Sequence, residues 1–323
     1  MVALEVRDAV VRYGDTVAVD GVSVAVARGS VVGLLGPSGS GKSTLLRAIA
    51  GLEPLVAGSV SWEGQNLAGT KVHQRNFGLV FQDAQLFPTM TVGRNIAYGL
   101  GRLARDEQRA RVAEMLELVG LPGYEQRRPT ELSGGQAQRV ALARSLAPSP
   151  RALLLDEPLS ALDTGLRRRL ADDLARILRE THTTAVYVTH DHQEAYTIAD
   201  SVAVLHEGRL LQMADPEALR SAPSSKQVAA FLGYRAFVTE HQARELGWHG
   251  SLPVGFVLGV GPSSLVLDDS GVDVEVVDQG YTVDDVEIGV WLPDGQRATV
   301  SSPERIHEPT VRVRLIGGAV TPA

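Results

Sequence analysis

The chain has 323 residues, of which 44% are hydrophobic and 21% are charged, and its formal net charge at pH 7 is −7. This length suits one large domain followed by a smaller one, and the acidic balance gives no electrostatic basis for binding nucleic acid. Because cysteine is absent, disulfides and thiol-ligated metals are excluded. The N-terminus lacks the apolar region of a signal peptide, and no apolar run is long enough to cross a bilayer. Any membrane association is therefore expected to come through a partner.

The first predicted elements are a strand, a glycine-rich loop and a helix. Residues 31–35 form a short apolar run that predicts a buried strand, and residues 44–50 predict a helix. The loop between them matches G-x-x-x-x-G-K-[ST], a pattern that surrounds phosphates with backbone N–H groups. In such a loop Lys42 reaches the β- and γ-phosphates and the Ser43 hydroxyl binds Mg²⁺. The loop residues are Gly36, Pro37, Ser38, Gly39, Ser40, Gly41, Lys42 and Ser43.

Strand-like and helix-like segments then alternate up to about residue 233. Apolar runs at residues 77–81, 152–155 and 185–189 predict strands, and residues 106–119 and 165–180 predict amphipathic helices. This alternation predicts an α/β domain with a largely parallel sheet. Ligands of such sheets bind beyond the carboxyl ends of the strands. The polar residues expected at those ends are Gln82, Asp156, Glu157 and His190.

Two carboxylates end the predicted strand at residues 152–155. Asp156 is expected to hold Mg²⁺, because this small, hard ion prefers oxygen ligands and keeps several waters. Glu157 is expected to orient or deprotonate the attacking water. The alternative is a pair of acids at a solvated strand end, but the phosphate loop favours the metal and base roles.

A second candidate anion site lies at residues 132–136, ahead of a good helix over residues 137–146. Ser133 is at or near the N-cap, and the glycines that follow expose backbone N–H groups. Taken by itself, this pattern predicts an anion-binding helix start and a plain capped helix equally well.

Three single residues have open roles when the residue pattern is considered alone. His190 either donates a hydrogen bond to a γ-phosphate or is an ordinary histidine at a strand end. Gln82 either contacts Mg²⁺ and water or is a loop amide. Tyr13 either stacks on a base or simply packs near a strand.

The C-terminal part changes character after residue 233. Short Val-rich runs at residues 254–260, 264–267, 272–277, 286–292, 297–300 and 311–316 alternate with turn formers, among them residues 268–271 and 293–295. This pattern predicts a small antiparallel β domain of the partial-barrel kind.

Together these motifs resemble the nucleotide-binding subunit of an ATP-binding cassette (ABC) transporter over residues 1 to about 234. The distinctive element is the signature motif, matched in full and in the expected order between the phosphate loop and the acidic strand by Leu132, Ser133, Gly134, Gly135 and Gln136. The resemblance implies a P-loop ATPase of the ABC type that uses ATP and Mg²⁺. It implies that ATP contacts Tyr13 and the loop from Gly36 to Ser43, together with Thr44.

The same resemblance implies the remaining site roles. Asp156 becomes the Walker B acid, which binds the metal together with Ser43 and Gln82. Glu157 becomes the catalytic carboxylate, and the residues that assist it are Lys42, Gln82 and the switch histidine, His190. The D-loop, a short segment after the acidic strand, is matched by Ser160, Ala161, Leu162 and Asp163.

Three further stretches, residues 81–96, 189–195 and 229–233, resemble importer ATPases for maltose, polyamine, iron, sulfate or thiamine. Such subunits often carry a C-terminal β domain related to the OB fold, called TOBE, and the tail here looks like a short version. The expected domains are therefore residues 1–234, nucleotide-binding, and residues 235–323, a small β domain that could be regulatory.

The resemblance also implies how such a subunit works. It powers solute import through membrane permease subunits, at the cytoplasmic face of the plasma membrane, with an extracytoplasmic solute-binding protein in the same system and no nucleic acid. A second ATPase subunit, expected to be an identical copy, completes the site by presenting its signature motif to ATP. The alternatives are an export-coupled ABC ATPase, a soluble ABC ATPase acting on nucleic acid or ribosomes, and a kinase that uses the same phosphate loop.

Overall fold

The computed structural model describes residues 1–261, 263–281 and 285–323, which divide into two compact units, Met1–Pro216 and Glu217–Ala323. Within these described ranges, no helix is both long and apolar enough to cross a membrane.

The first unit contains ten strands and six α-helices among its described residues. The strands are β1 (Val2–Tyr13), β2 (Thr16–Ala27), β3 (Val31–Leu35), β4 (Ala57–Trp62), β5 (Gln65–Asn66), β6 (Phe77–Val80), β7 (Ala152–Asp156), β8 (Ala185–Thr189), β9 (Ser201–His206) and β10 (Arg209–Ala214). The helices are α1 (Lys42–Ala50), α2 (Val92–Ala97), α3 (Arg105–Leu118), α4 (Gly134–Leu146), α5 (Thr164–Glu180) and α6 (His192–Ile198).

The strands of this unit form two sheets. One is antiparallel with strand order β2-β1-β4-β5, and the other has strand order β10-β9-β3-β8-β7-β6. In the second sheet β9, β3, β8, β7 and β6 run parallel, while β10 pairs with β9 in the antiparallel sense. Strands β3, β7 and β8 are buried along their whole length, as strands covered on both faces must be. The predicted α/β class is confirmed.

Helix α1 lies in a hydrophobic core that both sheets share. Its buried side chains Leu45, Leu46 and Ile49 belong to the same cluster as Leu4 of β1 and Leu154 of β7. Because α1 begins at the phosphate loop, this packing fixes the loop against both sheets. The antiparallel sheet was not predicted from the sequence.

The second unit is built mainly of antiparallel strands, as predicted. Its helices are α7 (Pro216–Ser221, whose first residue closes the first unit), α8 (Lys226–Phe231) and α9 (Glu240–Glu245). Its strands are β11 (Ala236–Val238), β12 (Phe256–Val260), β13 (Leu265–Tyr281), β14 (Val286–Trp291), β15 (Arg297–Ser302), β16 (Thr310–Leu315) and β17 (Ala319–Pro322). They form two sheets, β11-β12-β17 and β15-β14-β13-β16, around a separate apolar core.

One predicted turn is wrong in this unit, because residues 268–271 do not separate two strands. They form a bulge inside β13, where Leu267 and Val272 both pair with Val313 of β16. The Asp268 carboxylate accepts the Ser270 N–H at 2.8 Å, which closes the bulge locally. Turn-forming residues therefore interrupt the hydrogen-bond ladder here without reversing the chain.

The division between the units lies earlier along the chain than residue 234. Helix α8 packs against β17, and the Tyr234 hydroxyl donates to the Arg220 carbonyl at 2.9 Å. These contacts place α7 and α8 with the second unit in the structure.

A chain that ends at residue 216 is expected to fold and to bind nucleotide with an affinity close to that of the full-length chain. The physical reason is that every predicted nucleotide-site residue lies in the first unit, which has its own core. Circular dichroism would check the fold, and titration with a fluorescent ATP analogue would check binding. A truncated chain that is folded but no longer binds nucleotide would contradict this expectation.

Candidate functional site

The phosphate loop joins β3 to α1 and passes very close to neighbouring backbone. A Cβ at Gly36 would lie 2.2 Å from the Leu205 carbonyl oxygen, and a Cβ at Gly41 would lie 2.3 Å from that of Ala18. Gly41 also has φ of +93°, a left-handed conformation that glycine adopts without strain. Side chains are therefore excluded at both positions, and the loop can expose its N–H groups at the helix start.

Lys42 is folded back onto this loop. Its ammonium donates to the carbonyls of Gly36 and Pro37, at 2.8 Å in both cases, and the residue is only 4% exposed. Burial lowers the pKa of Lys42, and the negative charges of Glu157 and Asp156 partly oppose that effect. The cation is thus held by neutral carbonyls next to the loop, where an anionic phosphate oxygen would be a stronger partner.

Ser43 and Asp156 meet at the start of α1. The Ser43 hydroxyl donates to Oδ1 of Asp156 at 2.6 Å, and Asp156 is buried. A hydroxyl and a carboxylate oxygen in contact form a donor set that fits Mg²⁺, which prefers oxygen ligands and completes its shell with water and phosphate. The part of the chain described by the structure contains no group of three His, Asp or Glu residues able to hold a metal by itself. The donor set therefore fits a metal bound together with nucleotide.

Glu157 and His190 are brought together at the ends of β7 and β8. Glu157 Oε2 lies 3.1 Å from His190 Nδ1. Glu157 has φ of +46°, an uncommon conformation for a side-chain-bearing residue, and its N–H donates to the Val188 carbonyl at 3.1 Å. Such backbone conformations persist where the surrounding structure imposes them, often at functional sites.

Gln82 follows β6 and its side chain is exposed. The backbone of Gln82, not its side chain, is held in place, because Gln138 Nε2 donates to the Gln82 carbonyl at 2.6 Å. Tyr13 ends β1, where it pairs with Thr16, and it is also exposed. These exposed side chains are accessible to a ligand.

The signature motif forms the capped start of α4. Ser133 Oγ accepts the Gln136 N–H at 3.3 Å, and Gln136 Oε1 accepts the Ser133 N–H at 3.0 Å. Gln136 Nε2 also donates to the Tyr124 hydroxyl at 3.2 Å. Among the described residues, no side-chain hydrogen bond of Ser133 or Gln136 reaches the phosphate loop. These hydrogen bonds therefore do not join the signature motif to the phosphate loop of the same chain.

The D-loop connects the acidic strand to α5. Ser160 Oγ donates to the Glu157 carbonyl at 2.9 Å, and Asp163 caps α5 by accepting the Leu166 N–H at 3.0 Å. These contacts place residues 160–163 next to the Glu157 turn.

Sequence reasoning missed the residues that hold the segment after β6. Arg144 of α4 donates to the carbonyls of Gln85 at 2.8 Å and Ala84 at 3.1 Å, and burial lowers its pKa. Asn95 is fully buried, and its side chain accepts the Phe87 N–H at 2.8 Å. A polar residue inside an otherwise apolar helical segment indicates a buried hydrogen bond. The sequence does not show which groups Arg144 and Asn95 bind, because these partners depend on tertiary contacts.

A further missed residue is Arg75, which is largely buried and has no carboxylate partner among the residues that the structure describes. Its guanidinium donates to the Ile49 carbonyl at 2.6 Å and the Leu67 carbonyl at 3.2 Å. It therefore caps the last turn of α1 with a cation, which suits the negative end of the helix dipole.

The site combines a buried strand, a glycine loop that ends in a lysine, and a hydroxyl–carboxylate pair at the end of β7. These features define a P-loop nucleoside triphosphatase. The comparisons with known proteins narrow this class. The family described as "ABC transporter" matches residues 19–160.

Two curated relatives are similar over longer stretches. The Fe(3+) ions import ATP-binding protein FbpC of Streptomyces coelicolor is 46% identical over 282 residues, covering 86% of this chain and 81% of the relative. The spermidine/putrescine import ATP-binding protein PotA of Acidothermus cellulolyticus is 50% identical over 235 residues, covering 72% of this chain and 61% of the relative.

A solved structure agrees with this relationship. The structure of cbiO1 from Clostridium perfringens, described as part of the ABC transporter complex cbiONQ, is 30% identical with a TM-score of 0.64, covering 68% of this chain and 90% of that one. The chain belongs to the ABC transporter family, as an ATP-binding subunit of the import type. It binds ATP, and it is an ATPase coupled to transport.

Replacing Lys42 with alanine is expected to lower ATP hydrolysis by about 100-fold or more, because a preorganised charge facing the developing phosphate charge is removed. Lys71→Ala, at an exposed lysine, is the matched control and should hydrolyse ATP normally. Turnover of the purified protein with its permease is the measurement. Near-normal turnover of the Lys42 variant would exclude the proposed role of this lysine.

Proposed function

We propose that the chain hydrolyses ATP with Mg²⁺ at a site shared by two copies and thereby drives solute import through a permease. The observation that carries this proposal is a pair of contacts at the ends of β7 and β8. Ser43 contacts Asp156, and His190 contacts Glu157, the residue that follows Asp156. The buried Lys42 precedes Ser43 in the phosphate loop.

Each of these residues has a role that follows from its chemistry. Lys42 exchanges its carbonyl partners for phosphate oxygens and stabilises the charge that develops on them. Ser43 and Asp156 would hold Mg²⁺, joined by the Gln82 side chain, and the bound ion would neutralise phosphate charge. Glu157 orients and deprotonates the attacking water.

His190 acts beside this base. Its Nδ1 contacts Glu157 at 3.1 Å, so the ring orients the carboxylate and its other nitrogen is left to donate a hydrogen bond to the γ-phosphate. Tyr13 stacks on the adenine ring, since its side chain is exposed at the end of β1.

The signature motif is proposed to contact ATP bound by a second, identical copy. Two helix starts of the chain are predicted to bind phosphate, one after Gly41 and one after Ser133. Of these two, the first begins with a lysine and the second does not. Since the described hydrogen bonds of Ser133 and Gln136 do not reach the phosphate loop of the same chain, a head-to-tail dimer gives this helix start its ligand. Two ATP molecules close the dimer, and hydrolysis reopens it.

The segment at residues 82–91 is proposed to receive a helix of the permease on the cytoplasmic face of the plasma membrane. Gln138 and Arg144 hold its backbone from α4, the helix that begins at the signature motif. Movement of α4 on ATP binding is thereby passed to the permease. Relatives named for iron and for spermidine/putrescine are both similar to this chain. We therefore assign the choice of solute to the permease and to an extracytoplasmic solute-binding protein.

The C-terminal β unit is proposed to be a short TOBE-like domain with a regulatory role. The export-coupled alternative has less support, because the relatives described above are import proteins. The acidic composition likewise gives no support to a nucleic-acid-directed ATPase.

Glu157→Gln is the variant that tests this proposal. The amide keeps the shape of the side chain and loses the base, so ATP affinity should persist while hydrolysis nearly stops. The variant should then accumulate as an ATP-bound dimer, which light scattering would detect as a doubling of mass.

The matched control is Glu117→Gln, at an exposed position of α3, which should hydrolyse ATP and dimerise only transiently. If Glu157→Gln hydrolyses ATP at the parental rate, Glu157 is not the catalytic carboxylate.

A further inference from the structure

Arg167, in the first turn of α5, holds the backbone of the D-loop. Its Nη2 donates to the Leu162 carbonyl at 2.8 Å and to the Ser160 carbonyl at 3.3 Å. The guanidinium therefore fixes the position of this short loop relative to α5.

The other side of the same guanidinium faces the loop that carries the switch histidine. Nη1 lies 3.6 Å from Asp191 Oδ2, and Nε lies 3.7 Å from Glu194 Oε1. Asp191 directly follows His190 and caps α6, where it accepts the Gln193 N–H at 2.8 Å. A single side chain thus contacts both the D-loop and the residue next to His190.

Glu194 is itself fixed from the other side of that histidine. It is 5% exposed, and its Oε2 accepts the hydroxyls of Tyr187 and Thr189, both at 2.7 Å. Thr189 directly precedes His190, and its hydroxyl oxygen accepts the Asp191 N–H at 2.9 Å. The residues on both sides of His190 are therefore tied to the Arg167–Glu194 pair.

The contact between Arg167 and Glu194 is loose. Arg167 Nε is buried without a hydrogen-bond partner among the described residues, and Glu194 Oε1 is within ion-pair distance but beyond hydrogen-bond distance. A shift of about 0.5–1 Å would turn the contact into a charge-assisted hydrogen bond. Buried donors are normally paired, and a shift that closes this contact would pair the buried Nε.

The D-loop, whose backbone Arg167 holds, also contacts the signature motif. A Cβ at Gly134 would lie 3.4 Å from Leu162 Cδ2, so Leu162 packs against the start of α4. A contiguous set of contacts thus runs from the signature motif through Leu162 and Arg167 to the loop of His190.

We propose that Arg167 and Glu194 are positioning residues that link the D-loop and the signature motif to the switch histidine. When a second copy engages the signature motif, the D-loop shifts, the Arg167–Glu194 contact closes, and His190 is held in its working position beside Glu157. This inference rests on the proposed function, because it requires a second copy at the signature motif.

The test is Arg167→Met, which keeps the length and apolar stem of the side chain and removes the guanidinium. In the complex with the permease, kcat for ATP is expected to fall about tenfold while KM and the unfolding temperature stay close to those of the parent. A purely structural role would instead lower the unfolding temperature. Arg169→Met, at an exposed arginine on the same helix, is the matched control and should keep the parental kcat.

A second variant keeps the inference testable if Arg167→Met is poorly folded. Glu194→Gln retains an oxygen acceptor for the two hydroxyls and removes the charge, so kcat should fall in the same way. The double variant should be no slower than Arg167→Met alone, because that change already removes the contact with Glu194 together with the bonds of Arg167 to the D-loop. Additive losses, or a parental kcat in both folded single variants, would overturn the inference.

The two proposals fail in different ways. If the parent and Arg169→Met do not hydrolyse ATP, the proposed function is wrong. If they hydrolyse ATP and Arg167→Met is equally fast, only the link between the D-loop and His190 is wrong.

Discussion

The phosphate loop is confined between two backbone carbonyls that come from different sheets, and much of the site depends on this confinement. Leu205 belongs to the parallel sheet and Ala18 to the antiparallel sheet, and each leaves room only for a glycine in the loop. The Gly208 N–H also donates to the Ser40 carbonyl at 3.2 Å, which fixes the loop between them. Since α1 packs in the core shared by both sheets, the position of Lys42 and Ser43 is set by the whole first unit.

The acidic and polar residues of the site then converge because parallel strands end at one edge of the sheet. Asp156 ends β7, Glu157 follows it, and His190 follows β8, the next strand of the sheet. Helix α4 connects two parts of the site, because it begins at the signature motif and its side chains bind the backbone of residues 82–85. In the proposed function, nucleotide binding and coupling to the permease would therefore both depend on α4.

The sequence predicted those parts of the structure whose signals are local. The buried strand before the phosphate loop, the capped start of α4 and the meeting of strand-end residues all follow from residue type and spacing. The antiparallel sheet was missed, and so were the tasks of Arg75, Arg144 and Arg167, because each arginine binds carbonyls in another element or loop. The error at residues 268–271 has the same origin, since turn-forming residues look alike in a turn and in a bulge, and only pairing with β16 distinguishes them.

The head-to-tail arrangement of two copies can be tested by cross-linking, which the absence of native cysteine makes specific. In the Glu157→Gln background, one tagged copy carries Ser38→Cys in the phosphate loop and a differently tagged copy carries Ser133→Cys in the signature motif. We expect an ATP-dependent cross-link between the two unlike copies by a short bis-maleimide, and little cross-linking without ATP. An ATP-bound dimer that forms fully yet gives no cross-link between unlike copies would contradict the shared site.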